Sequence, residues 1–110
     1  MRTQVEADVF SAIAHPARRA MLSALLRGER SAGELAEPFE MTFGAVSQHL
    51  KVLEEAELVM VRKEGRNRYY RLAPEPIREV EAWAVAFRAY FEGRLDALGD
   101  YLDQKHPRRR

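Results

Sequence analysis

Residues 41–59, MTFGAVSQHLKVLEEAELV, change character midway. The first half is small and polar around Thr42, Gly44, Ala45, Ser47 and Gln48, whereas the second repeats apolar residues between glutamates. A helix that only fills a core carries an apolar stripe and a charged back along its whole length. One small, polar end predicts that this end faces something outside the chain. Val46, Leu50 and Leu53 stand at i, i+4 and i+7 and are expected to face the core, leaving Gly44, Ala45, Ser47, Gln48 and Lys51 on other faces. Thr42 is a good N-cap, and the helix is expected to run to about Glu55, closed by Ala56-Glu57.

Upstream, a first helix is expected over about Gln4 to Ile13, with Val5, Val9, Phe10 and Ile13 on one side. His15-Pro16 breaks it, and a second helix runs from Pro16 to about Arg27, stopped by Gly28. Its apolar residues are Met21, Leu22, Leu25 and Leu26. Ser31-Ala-Gly-Glu34 has the spacing of a capping box and starts a short third helix that continues to about Phe39.

Downstream, Leu58–Lys63 and Arg68–Leu72 are β-prone runs flanking Glu64-Gly-Arg-Asn67, where glycine and asparagine permit positive φ; together they predict a hairpin. From Ile77 the apolar residues step by three and four through Val80, Ala84, Phe87, Phe91, Leu95, Leu98 and Leu102. One amphipathic helix over about residues 75–104, about 40 Å long, accounts for that spacing. Trp83, Tyr90 and Tyr101 widen its apolar stripe beyond what so short a chain covers. Homodimerisation is therefore expected through Val80, Trp83, Phe87, Tyr90, Phe91, Leu95 and Leu98, joined by Val5 and Val9 of the first helix. The organisation is a single domain over residues 1–104 with a flexible basic tail at 105–110.

The 110 residues are 46% hydrophobic and 32% charged, the balance of a folded chain whose small core gains from burial between subunits. With no cysteine, disulfides, thiolate metal sites and cysteine nucleophiles are excluded. No apolar run approaches about eighteen residues, and Met1-Arg-Thr-Gln-Val-Glu precedes no signal-peptide core, so a cytoplasmic protein without membrane contact is expected. Net charge is only +1, yet Arg62, Lys63, Arg66, Arg68 and Arg71 face Glu64 alone within the hairpin. A local basic surface on a nearly neutral chain suits contact with a polyanion.

The order of helices followed by a basic hairpin is mainly α with a β-hairpin (α+β): a winged helix-turn-helix, dimeric through its long C-terminal helix and its N-terminal helix. A helix entering the major groove needs small residues for close approach and amide or hydroxyl groups for base edges. Gln48 is the expected base reader, because its amide bonds adenine bidentately. Ser47 and Thr42 suit a base or a phosphate, and Lys51 lies on the same outward side. Singly, these are ordinary solvated side chains and Thr42 is only a cap; before a basic hairpin they form a set. Phe43 has two open readings, a thymine methyl contact or packing back on the domain. His49 sits beside the buried stripe, where a packed, hydrogen-bonded role outweighs a phosphate contact. Arg66 and Arg68, with Asn67 between them, suit a minor groove or flanking phosphates, against the alternative of a charged hairpin that discourages edge pairing.

Ala14–Leu22 (AHPARRAML), Ser31–Ala36 (SAGELA), Val46–Val59 and Arg62–Leu72 resemble, in order, the ArsR-type winged-helix repressors over roughly residues 8 to 73. The resemblance implies a homodimer on a palindromic double-stranded DNA operator, repressing transcription until an effector lowers DNA affinity. Ser31 is also counted among the candidate DNA contacts. The metal-sensing members carry Cys-x-Cys in the third helix, where this chain has Glu34-Leu-Ala-Glu-Pro-Phe39. A second metal pattern pairs acids and histidines on the last helix; here Asp100, Asp103 and His106 have helical spacing, but solvated polar residues are the favoured reading. No metal and no cofactor are expected. An unidentified small-molecule effector near Trp83 and Phe87, or expression level alone, is left as the signal. A winged-helix module that binds another protein is the alternative function; an enzyme is disfavoured because no catalytic pair has a recognisable spacing.

Overall fold

In the computed structural model, described over residues 8–105, each early helix starts at a side chain that supplies a missing backbone partner. Asp8 accepts from Ser11 N–H at 2.7 Å and starts α1, Val9–Ala12. This helix is shorter than expected, and Val5, with the rest of the N-terminal stretch before Asp8, lies outside the described residues. Val9, expected at a subunit interface, is instead 3% exposed within the chain and belongs to its core with Ala12.

His15 caps α2, Pro16–Ala24, by accepting from Ala17 N–H, while Pro16 has no N–H to leave unsatisfied. The expected final turn is present but tightened to a 3-10 turn over Leu25–Arg27, and Gly28 ends it at φ 135°. Met21, Leu22 and Leu25 are buried, whereas Leu26 is 73% exposed.

Arg30–Ser31 form β1, a strand too short to carry any sequence period, paired antiparallel with β3 through Arg30 and Tyr70, and Ser31 and Tyr69. Ser31 then caps α3, Ala32–Ala36, in the expected box: Glu34 N–H donates to Ser31 Oγ at 3.1 Å, and Ser31 N–H to Glu34 Oε1 at 2.8 Å. The helix ends before the expected Phe39, since Pro38 has no N–H for the ladder.

Thr42 Oγ1 accepts from Ala45 N–H at 3.0 Å and opens α4, Phe43–Glu55. Val46, Leu50 and Leu53 are at most 1% exposed. The end is a Schellman motif: Leu58 N–H donates to Leu53 C=O at 3.0 Å and Glu57 N–H to Glu54 C=O at 2.9 Å. Glu57 takes φ 61° at the position that glycine usually fills.

The chain leaves that turn directly into β2, Val59–Glu64, which pairs antiparallel with β3, Asn67–Leu72, in the order β1-β3-β2. Gly65 alone supplies positive φ in the hairpin; Asn67, expected to share that role, is the first residue of β3 and pairs with Glu64. Leu35, Ala56, Leu58, Val59 and Tyr70 complete the core beneath α4.

The chain divides between Glu79 and Val80 into two compact units. The second consists of most of α5, Ile77–Lys105, whose bounds match the expected helix. Among its described residues none is buried. Trp83 and Phe87 meet edge to face at 5.0 Å, and Tyr90 meets Phe91 at 5.4 Å. Arg94 donates to Tyr90 Oη at 3.0 Å. The side chain of Leu95 and residues 106–110, including His106, lie outside the described residues.

Candidate nucleic-acid interface

The buried stripe of α4 fixes which way its other residues point. With Val46 and Leu50 inward, Thr42, Phe43, Gly44, Ser47, Gln48 and Lys51 are exposed and Ala45 is half-buried. A Cβ at Gly44 would meet nothing nearer than Thr42 Oγ1 at 3.9 Å, so packing within the chain does not call for glycine there. The absence of bulk instead leaves the start of α4 open to close approach from outside. Phe43 is 59% exposed and lines a cleft of about 380 Å³ with Ala32, Ser47, Lys51, Glu54, Arg68 and Tyr70. Its ring stands on the outward side of the domain, beside the polar residues of α4.

The wing forms the other wall of this cleft. Arg68 approaches Glu54 of α4 at 3.6 Å, with both side chains about half exposed. This cation, read as suited to a minor groove or flanking phosphates, already has an internal partner. Arg62 is more fully engaged: its guanidinium donates to Glu29 at 2.7 and 3.2 Å and to Glu64 at 2.6 Å, and it stacks on Tyr69 at 4.6 Å. The Arg62 hydrogen bond, opposed by desolvation and helped by the charges of Arg62 and Arg71, lowers the Glu29 carboxyl from its ordinary value. Arg71 leans on Met60 Sδ at 3.4 Å. Arg66, in the turn, and Asn67 beside it are exposed. The wing is thus less uniformly cationic than its residue count suggests, and its outward charge concentrates at the tip.

Ser31 lies on β1, with its Oγ accepting in the capping box, so its hydroxyl proton is what it has to offer a phosphate. His49 turns away from the outward face. Arg18 Nη1 bonds its Nδ1 at 3.0 Å, and the His15 ring lies 4.4 Å from its own. Burial, then the nearby His15 and Arg18, push the His49 pKa below its ordinary value. Sequence reading missed Arg18 altogether; its neighbours in His-Pro-Ala-Arg gave a helix start and no hint of a contact with α4. Among the described residues no three His, Asp or Glu side chains cluster to hold a metal, and no helix is long and apolar enough to cross a membrane.

A capped helix with an open polar face, set beside a hairpin with a cationic tip, defines a winged helix-turn-helix of the DNA-binding class. Residues 15–61 match the family described as "Bacterial regulatory protein, arsR family". The chain is 34% identical over 80 residues to the transcriptional repressor SdpR of Bacillus subtilis, a match covering 73% of this chain and 89% of that one. It is 42% identical over 72 residues to a transcriptional repressor SmtB homolog of a Synechocystis species, covering 66% and 54% respectively. A crystal structure of an ArsR family transcriptional regulator superposes with TM-score 0.69 and 37% identity over 76% of this chain and 86% of that chain. The chain belongs to the ArsR family, and it is a DNA-binding transcriptional regulator.

Proposed function

We propose that the chain acts as a cytoplasmic homodimeric repressor, without catalytic activity, that places two copies of α4 in successive major grooves of a palindromic operator, about 34 Å apart. The observation that carries this reading is the outward face of α4, held by three buried side chains while Ser47, Gln48 and Lys51 stay exposed beside the wing. Gln48 reads a base edge; Thr42, Ser47, Lys51 and Ser31 bond phosphates or bases; Arg66, Asn67 and Arg68 follow the flanking backbone. The Arg68–Glu54 contact is exposed and worth little, so a phosphate displaces Glu54 at small cost.

The uncovered aromatic face of α5 supports dimerisation through Val80, Trp83, Phe87, Tyr90, Phe91 and Leu98. An effector that opens the operator complex is expected to be a small organic molecule bound between subunits near Trp83 and Phe87. Titration of the promoter fragment of its own operon by gel shift, across salt concentrations, tests the function. A specific complex that weakens steeply with salt is expected. Absence of any DNA complex, with capture of a protein partner instead, would establish the interaction-module alternative.

A further inference from the structure

Arg18 is half-buried, and its guanidinium serves three backbone and side-chain acceptors at once. Nε donates to Ala12 C=O at 2.6 Å and Nη2 to Ser11 C=O at 3.3 Å, at the C-terminal end of α1; Nη1 reaches His49 Nδ1 on α4 at 3.0 Å. A residue of α2 therefore ties α1 to the middle of the reading helix. The planar fork of a guanidinium imposes directions that an ammonium does not.

Such a directional bond adds to the apolar anchorage of α4. Val46, Leu50 and Leu53 set which face of α4 is buried, and the Arg18–His49 bond adds a directional hold at one point along the helix. Gln48 and Ser47 immediately precede His49, so a turn of α4 that moves His49 also carries them across a groove edge. We propose that Arg18 is a positioning residue for DNA reading: through His49 it refines the rotation of α4 that the buried stripe sets, and so the aim of Gln48 and Ser47. This rests on the assignment of α4 as the DNA-reading helix.

The link has a proton requirement. A guanidinium only donates, so His49 Nδ1 must accept and carry no proton. His15 Nδ1 likewise accepts, from Ala17 N–H at 3.1 Å, and its ring lies against that of His49. The titratable and charged groups facing His49 are His15, from the turn before α2, and Arg18, from α2 itself. A proton on His49 removes the acceptor and puts a second cation beside Arg18. Acid therefore releases the helix from its rotational stop.

The test uses a duplex enriched by the wild-type protein from a randomised library and a scrambled duplex of the same composition. Binding to both is followed by fluorescence anisotropy from about pH 8 to about pH 5.5, below the ordinary histidine pKa of about 6.5. Circular dichroism checks the fold of each variant. Arg18→Ala is expected to lower the ratio of selected to scrambled affinity about tenfold, with scrambled binding altered less than about twofold, and Arg18→Lys to recover part of the loss. The wild-type ratio should fall on acidification, while His49→Gln, whose amide oxygen still accepts from Arg18, should show a flat ratio whatever its absolute affinity. Equal weakening on both duplexes in Arg18→Ala would overturn the proposal, as would an acid dependence in His49→Gln matching that of the wild type. Should no duplex be enriched, the DNA-reading function itself fails, and this inference with it.

Discussion

Helices α4 and α5 are both amphipathic, yet the chain treats their apolar stripes in opposite ways. In α4 the stripe of Val46, Leu50 and Leu53 is covered almost completely by the chain itself. In α5 no described residue is buried, and Trp83 and Phe91 are each 58% exposed. A covered stripe frees the opposite face to carry polar function. An uncovered stripe of aromatics of this size is the kind of surface that marks an interaction site.

The sharpest way to break this contrast is to truncate both stripes. Leu50→Ala removes a side chain that is 1% exposed, and it should cost about 2–5 kcal/mol of unfolding free energy, read from the urea midpoint. Trp83→Ala with Phe87→Ala should leave the α4 domain folded and weaken the dimer by about 2 kcal/mol, about thirtyfold in its dissociation constant. Sedimentation equilibrium measures that loss; a concentration-independent mass shared with the wild type would sink dimerisation through α5. Gln48→Ala, on the open face of α4, should change neither stability nor mass but relax preference at one base position by about 1–3 kcal/mol in a competition assay.

A subtler probe separates the two helices by pH. The His49 pKa is lowered in the folded chain, first by burial and then by His15 and Arg18. The unfolded chain therefore binds this proton more readily. The stabilising effect is complete above the ordinary histidine value of about 6.5 and is lost as pH falls from there through the lowered folded value. Urea midpoints should decline over that window in the wild type and stay level in His49→Gln. A dimer dissociation constant that held steady over the same window would localise the effect to the α4 side.

Sequence reading served α4 better than any other element. Its cap, its stripe and its end are all local signals within residues 42–57, and each was found where expected. The α5 bounds were equally accessible, because a long three-and-four repeat leaves little choice of structure. What escaped depends on residues distant in sequence. Strand β1 has two residues and exists because Tyr69 and Tyr70 of β3 lie beside it. The ion partners of Arg62 and Arg68 escaped because nothing local shows that folding brings Glu29 and Glu54 to them. His49 was expected to be packed rather than exposed to phosphate, but its partner Arg18 is 31 positions away, beyond the reach of any helical period.

The left-handed residue at the end of α4 has a practical consequence. Glu57 joins the reading helix to the first wing strand in a conformation that costs an L side chain about 1 kcal/mol, and the residue is exposed. Glu57→Gly relieves that strain while giving back part of the gain to the freer unfolded chain, for a net stabilisation of about 0.5 kcal/mol visible as a small rise in Tm. The joint is therefore a reserve of thermostability. It can be drawn on without altering a side chain on the exposed polar face of α4.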